Sequence, residues 1–84
     1  MGLLNIGFGN LVNEDRIVAI VQSDSAPAKR LIARGKEAGS LIDATQGRRT
    51  KSVIAMSDGI YVLSALTPDT LFHRSGGTTK ENSS

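Results

Sequence analysis

The stretch SVIAMSDGIYVLSAL, residues 52–66, decides the fold because two apolar runs in it are joined by a turn signal. The runs VIAM and IYVL contain the β-branched and aromatic residues that favour strands. Asp58 and Gly59 between them form the dipeptide typical of a tight β-hairpin, in which both central residues are expected at positive φ. The sequence therefore predicts two strands, at residues 52–57 and 60–66.

Three further apolar runs lie upstream and predict the remaining strands. They are LNIGF at residues 4–8, RIVAIV at residues 16–21 and LIDAT at residues 41–45. The segment GFGN at residues 7–10 fits a turn or bulge better than a phosphate-binding loop. The dinucleotide pattern would need glycine where Val12 stands, and no helix follows.

One main helix is predicted at residues 26–38. Ser25 is a suitable N-cap, Pro27 is tolerated in the first turn, and Gly39 fits the left-handed position that follows a last turn. One face of this helix is apolar, with Leu31, Ile32, Gly35 and Ala38, and another is basic, with Lys29, Arg30 and Arg34. Glycine at position 35 lowers the stability of the helix by roughly 1 kcal/mol relative to alanine. Either close packing against a neighbouring element or a tolerated sequence change without function would explain it.

The end of the chain contains a second helix signal and a polar tail. TPDTLFHR at residues 67–74 predicts a short helix with Thr67 as cap and Pro68 at its first position, and residues 75–84 are expected to be disordered. The fold class is therefore predicted to be α+β. We expect one domain, residues 1–74, with a small antiparallel sheet of four to five strands, one main helix and a short C-terminal helix.

The strand sequences also predict a homo-oligomer. IVAIV, VIAM and IYVL are apolar at successive positions, which indicates that both faces of the sheet are covered. One main and one short helix could be too few for that, and a second copy of the chain would then supply the cover. The alternative is that the short helix completes the cover in a monomer.

Several functional classes are excluded by composition. There is no cysteine and only one histidine, His73, so no metal site, cofactor or catalytic set is predicted, nor any small-molecule substrate. The N-terminal segment lacks the features of a signal peptide, and no run approaches the ~20 apolar residues of a membrane span. We expect a cytoplasmic protein that is not an enzyme and does not associate with membranes.

Positive charge is concentrated in the middle of the chain. The net charge is +2, but residues 16–51 contain eight basic and three acidic residues. Such a segment suits a polyanionic partner, although a solvated basic surface would look the same.

The segment QGRRTK, residues 46–51, holds the clearest part of this charge. Gly47 permits a turn after the preceding strand, and no acidic residue occurs in residues 44–57. The basic residues of the segment are Arg48, Arg49 and Lys51. Paired guanidinium groups match phosphate oxygens and guanine edges, whereas Asp43 could instead fold back and neutralise one of them.

The choice of partner rests on the aromatic content. Because aromatic residues are few, duplex DNA is favoured over single-stranded RNA. A regulator of structured RNA and an oligomer that binds an acidic protein remain alternatives.

Five motifs, in order, resemble the RemA family of bacterial extracellular-matrix regulatory proteins. They are NIGFGN, RIVAIV, SAPAKRLI, LIDATQGRRT and VLSALTPDT, and the resemblance spans residues 4–72. It implies a cytoplasmic, nucleoid-associated transcriptional activator of biofilm-matrix genes that assembles into a homo-oligomeric ring and grips or wraps duplex DNA.

The resemblance also assigns roles to residues. It places the DNA-contacting pair at Arg48 and Arg49, gives Arg16 a part in DNA contact or in subunit assembly, and identifies Pro27 as the residue that opens the helix. The full set of predicted DNA-binding residues is Arg16, Arg30, Arg34, Arg48, Arg49 and Lys51, with Gly47 and Pro27 in structural roles.

Overall fold

The computed structural model describes residues 2–75 and has the predicted α+β class. Its strands are β1 (Leu3–Asn5), β2 (Leu11–Asn13), β3 (Ile17–Gln22), β4 (Leu41–Asp43), β5 (Ser52–Met56) and β6 (Tyr61–Ser64). Its helices are α1 (Ala26–Ala38) and α2 (Pro68–Arg74), and a 3₁₀ turn, Glu14–Arg16, precedes β3. The predicted disordered tail lies outside the described residues, apart from Ser75.

The strands form two sheets, which differs from the single antiparallel sheet predicted. β1 pairs with β2 alone, and the other four strands lie in the order β3-β5-β6-β4. β5 is antiparallel to both of its neighbours, whereas β4 is parallel to β6, with Leu41 opposite Tyr61. The reason is that α1 returns the chain to the end of the sheet where β6 begins, so β4 and β6 start side by side.

The β5–β6 hairpin is confirmed, but its turn is not of the expected class. Gly59 has φ 77° and its N–H donates to the carbonyl of Met56 at 3.3 Å. Asp58 is not among the described residues with positive φ. The connection is therefore a three-residue loop in which a turn is followed by one left-handed glycine, the second common hairpin class.

The prediction for the N-terminal strand is only partly correct. The strand stops at Asn5 because the chain enters a turn with φ 108° at Gly7 and 55° at Phe8, values that no β-strand can hold. The chain then returns as β2, which the sequence analysis missed. GFGN is thus the turn of a short hairpin, in line with its interpretation as a turn.

Both faces of β5 and β6 are covered by the chain itself. On one face, Val53 and Leu63 pack with Ala28 of α1, and on the other Ile54 and Val62 form a cluster. The residues of that second cluster that come from outside the four-stranded sheet include Leu4, Ile6 and Leu71, from the N-terminal segment and α2. The first hairpin and α2 together cover these two strands, close to the alternative in which the short helix completes the cover, whereas Val18 of the third run, IVAIV, is 68% exposed. Apolar strands on two sides therefore do not by themselves indicate assembly.

Helix α1 has the predicted bounds, with Ser25 as its N-cap and Gly39 at φ 68°. Gly35 is buried against the sheet, and a Cβ there would lie 3.1 Å from atoms of both Leu41 and Tyr61. Close packing therefore accounts for this glycine, whereas Ala38, which was predicted on the same face, is exposed. Helix α2 is also as predicted, with the Thr67 hydroxyl accepting from the N–H of Thr70 at 3.2 Å.

Candidate nucleic-acid interface

Residues 44–51, which we call the arginine loop, connect β4 to β5 at the end of the sheet where β6 finishes. Gln46 and Gly47 have φ of 55° and 77°, and the N–H of Arg48 donates to the carbonyl of Thr45 at 3.0 Å. Positive φ at both central residues is the signature of a type I′ turn. The turn places Arg48 and Arg49 directly after its tip.

The second half of the arginine loop is held by backbone hydrogen bonds on two sides. The N–H of Lys51 donates to the carbonyl of Ser64, at the end of β6, at 2.8 Å. On the other side, the N–H of Ser23 donates to the carbonyl of Lys51 at 3.1 Å, and the Ser23 hydroxyl donates to the carbonyl of Thr50 at 2.8 Å. The loop is therefore fixed between β6 and the turn that leads into α1.

Asp43 is engaged by its own turn rather than by the arginines. Its Oδ1 accepts the Thr45 hydroxyl at 2.6 Å and the Thr45 N–H at 2.9 Å. The hydroxyl bond first, and then the backbone bond, lower the pKa of Asp43 below its ordinary value, because both bonds favour the carboxylate. The alternative in which Asp43 neutralises a neighbouring guanidinium is thus not what the structure contains.

The three cations of the loop remain exposed. Among residues 2–75, no ion pair within 4.0 Å involves Arg48, Arg49 or Lys51. The guanidinium carbon of Arg48 lies 5.8 Å from the centroid of the Phe8 ring, within the range of a cation–π contact. The three cations and Phe8 line an open cavity of about 340 Å³, together with Ala65 and Leu66. The result is a shallow basic groove with one aromatic wall.

A second shallow cavity, of about 200 Å³, continues from the arginine loop towards the β3–α1 turn. Arg49 and Lys51 line one side of it, and Ser23, Asp24 and Thr67 line other parts. The cationic surface therefore extends past the loop itself, with the single carboxylate of Asp24 on its border.

Arg16 lies away from the arginine loop. The register pairs Ile17 with Met56 at one end of β3 and Gln22 with Ser52 at the other, so the two ends are about 17 Å apart. Arg16 stands at the first of these ends, where its Nη1 is 3.4 Å from Oδ1 of Asp58. Both side chains are largely exposed, so this pair contributes little to stability.

Arg34 of α1 lies at the opposite end of the sheet from the arginine loop. Arg34 lines an open cavity with Glu37, Ser40 and Tyr61 near the β5–β6 turn, at the same end of the sheet as Arg16. Arg30 is exposed on α1 and lines neither cavity beside the arginine loop. Of the six predicted DNA-binding residues, the structure brings together Arg48, Arg49 and Lys51.

Two features of the site were missed by the sequence analysis. The first is Phe8, which was placed at the end of a predicted strand and in the GFGN turn but was given no part in the site; its position between two glycines was the available signal. The second is the hydrogen-bonded Asp43–Thr45 turn, for which the order Asp-Ala-Thr just before a glycine turn was the signal.

Within residues 2–75 no three potential metal-ligating side chains lie together. None of the helices in that range has the length and apolar character needed to cross a membrane.

Comparison with known proteins gives one family and several close relatives. The sequence model of the RemA-like family, described as extracellular matrix regulatory protein A-like, matches residues 3–74. A protein of Symbiobacterium thermophilum is 56% identical over 72 residues, covering 86% of this chain and 76% of that protein. A protein of Gloeothece citriformis is 54% identical over 72 residues, covering 86% and 82%. A protein of Dictyoglomus turgidum is 51% identical over 84 residues, covering 100% and 99%.

The relatives carry the name "Putative regulatory protein", and the family description also contains the word regulatory. These names point to regulation rather than to an enzymatic activity.

Proposed function

Since the chain belongs to the RemA-like family of regulatory proteins, we propose that it is a transcriptional regulator that binds duplex DNA through Arg48, Arg49 and Lys51. The observation that carries the proposal is the state of these three side chains. They are exposed, they lack ion-pair partners within residues 2–75, and they stand on a loop fixed by hydrogen bonds to β6 and to the β3–α1 turn.

A fixed, unneutralised cation cluster suits a phosphate backbone for two reasons. Guanidinium groups donate two parallel hydrogen bonds to one phosphate, which fixes orientation as well as adding affinity. A loop that is already ordered loses little conformational freedom on binding, so more of the interaction energy appears as affinity. The engaged carboxylate of Asp43 leaves the arginines available.

Three phosphate contacts per chain make a weak site at physiological salt, so the proposal includes assembly. Several copies in a ring would repeat the site along one edge and make later contacts intramolecular. DNA that follows such an edge would be selected partly by its bendability. Arg16, Arg30 and Arg34 lie outside the arginine loop and would meet DNA that wraps further, or would contact a neighbouring subunit.

The gene-level part of the proposal is activation of biofilm-matrix genes by a nucleoid-associated protein in the cytoplasm. The family description, which names extracellular matrix regulation, supports the matrix-related part of this proposal and no other part.

A gel-shift competition tests the DNA assignment. Micromolar protein at low salt is mixed with labelled duplex DNA and then with unlabelled duplex DNA, structured RNA or an acidic polypeptide. We expect a shift that duplex DNA removes most effectively. If RNA is the better competitor, the protein is a regulator of structured RNA, and if neither nucleic acid is bound, the arginine loop serves an acidic protein partner.

A further inference from the structure

Phe8 stands at the tip of the turn formed by residues 7–10, which we call the Phe8 turn. The N–H of Asn10 donates to the carbonyl of Gly7 at 3.0 Å, and Phe8 and Gly9 have φ of 55° and 78°. Positive φ at both central residues again indicates a type I′ turn. Glycine, asparagine and aspartate are the residues that such positions favour, and a bulky aromatic residue there is a genuine outlier.

The surrounding residues force this conformation on Phe8. The Asn5 Oδ1 accepts the N–H of Gly7 at 2.8 Å, and the Asn10 side-chain amide donates to the carbonyl of Gly7 at 3.0 Å. Ile6 is buried, and its carbonyl accepts the hydroxyl of Ser64 at 2.8 Å. The strained turn is thus anchored to the end of β6, the same strand that holds Lys51 through its backbone.

The strain at Phe8 produces no gain in the core of the chain. Phe8 is 50% exposed, and it is absent from both buried clusters of the described residues. Its ring instead borders the groove of the arginine loop, beside the guanidinium of Arg48. Strained backbone conformations cluster at functional sites, among them sites that hold a ligand.

We propose that Phe8 is a wedge that stacks against a base step of the bound duplex, next to the phosphates held by the arginine loop. The proposal rests on the proposed function, because it names what the same site does to DNA. Apolar side chains beside arginines unstack and kink duplex DNA in this way in other proteins, and base–aromatic stacking is tolerant of sequence. Flexible pyrimidine–purine steps would therefore be preferred, because they unstack most easily.

The test compares Phe8→Asn with Phe8→Tyr. Asparagine is well suited to positive φ, so Phe8→Asn keeps the turn and removes only the ring. Tyrosine keeps the ring. Phe72→Ala is the matched control, because Phe72 is 54% exposed on α2 and does not line the groove.

The probe is a short duplex containing 2-aminopurine at a central TA step, whose fluorescence rises when the base is unstacked. Wild type, Phe8→Tyr and Phe72→Ala should raise the fluorescence on binding, and Phe8→Asn should not. Phe8→Asn should also bind about tenfold more weakly or worse, as expected for the loss of one aromatic stacking contact. Its dependence of affinity on salt should stay the same, because no charge is removed.

Three outcomes would overturn the inference, and they are distinguishable. If the wild type does not bind duplex DNA, the proposed function itself fails and the wedge fails with it. If wild type and Phe8→Asn bind with equal affinity and equal fluorescence, DNA binding stands and Phe8 is no wedge. If Phe8→Asn lowers the solution mass measured by light scattering, the aromatic side chain of Phe8 instead packs against another copy of the chain.

Discussion

At the scale of single residues, Arg48 and Arg49 are side chains whose removal should affect ligand binding far more than folding. Both are exposed, and the one described aromatic or ionic contact of the pair is that of Arg48 with the half-exposed Phe8. An exposed cation–π contact is worth only about 0.5–1 kcal/mol. The double variant Arg48→Ala with Arg49→Ala should therefore lose detectable DNA binding in a gel shift, while its free energy of unfolding falls by no more than about 1 kcal/mol.

A control variant with the same change in net charge distinguishes an effect of the arginine loop from an effect of the overall charge of the protein. Lys29→Ala with Lys36→Ala removes two exposed positive charges from α1. This variant should retain most of the DNA affinity of the wild type. If it loses as much as the arginine variant, binding depends on net charge rather than on the arginine loop. If the arginine variant instead dissociates an oligomer, these side chains are interface residues.

Asp43 allows charge and positioning to be distinguished at one residue. Asp43→Asn keeps an oxygen that can accept both bonds from Thr45 but removes the negative charge, so binding to DNA should be equal to or tighter than that of the wild type. Asp43→Ala removes the charge and the acceptor together. We expect it to bind about two- to fivefold more weakly than Asp43→Asn, because the turn before the arginines loses its hydrogen bonds. Equal affinities for the two variants would show that Asp43 does not position the loop.

The lowered pKa of Asp43 also predicts a pH dependence. The unfolded chain is expected to titrate near the ordinary value of 3.8, and the folded chain below it. The contribution of the carboxylate to stability is therefore complete above 3.8 and is lost as the pH falls through the folded pKa. The difference in unfolding free energy between wild type and Asp43→Asn should be constant near neutral pH and disappear in acid. Denaturant titrations at several pH values measure it.

At the scale of secondary-structure elements, the elements fixed by local interactions were predicted correctly, and those that depend on distant parts of the chain were not. Helix α1, helix α2 and the β5–β6 hairpin were predicted because their caps and turn residues lie within the elements themselves. The parallel pairing of β4 with β6 was not, because it depends on where α1 returns the chain. The short strand β2 was missed although the turn before it was predicted, because β2 has three residues and Leu11 and Val12 alone are apolar.

The candidate site likewise contains residues that could be predicted from local sequence and one that could not. Arg48, Arg49 and Lys51 are neighbours in sequence, so their juxtaposition was predictable. Phe8 reaches the same groove from a position some forty residues earlier, and only the docking of the first hairpin on β6 brings it there. Arg16 was predicted as part of the site, but the length of β3 separates it from the arginine loop.

Gly35 gives a prediction about the packing of α1. In a solvent-exposed helix, changing glycine to alanine adds about 1 kcal/mol of stability. Here the new Cβ would lie 3.1 Å from Leu41 and from Tyr61, and one of the atoms met is the Cβ of Leu41, which cannot move without its backbone. Overpacking of this kind costs about 1–3 kcal/mol, so Gly35→Ala should lower the free energy of unfolding by up to about 2 kcal/mol. Chemical denaturation measures the change.

The matched control for Gly35→Ala is an exposed position of the same helix. Ala33→Gly should destabilise by about 1 kcal/mol through helix propensity alone, and so calibrates that effect in α1. If Gly35→Ala raises stability, Leu41 and Tyr61 move to accommodate the added methyl group, and packing does not require glycine at this position.

At the scale of the whole molecule, assembly is expected from the proposed function and not from uncovered faces of β5 and β6. The chain covers both faces of β5 and β6 by itself, so a buried sheet face does not call for a second copy. What supports one is the proposed function, because three cations per chain would form too small a site to hold DNA at physiological salt. Assembly is therefore tested best in the presence of DNA as well as in its absence.

The salt dependence of binding counts the copies that contact one duplex. Each phosphate contact contributes a slope of about −0.9 to the plot of log affinity against log salt concentration, so one arginine loop gives about −2.7. If several copies contact the same duplex, the slope should be a multiple of this value. The single substitution Arg49→Ala removes one contact from each engaged copy, so the change in slope divided by 0.9 gives the number of copies. We expect at least two, together with a light-scattering mass of several subunits that persists on dilution to low micromolar concentration. A change in slope near 0.9 with the mass of a single chain would mean that one subunit binds alone, and the ring would have no part in the mechanism.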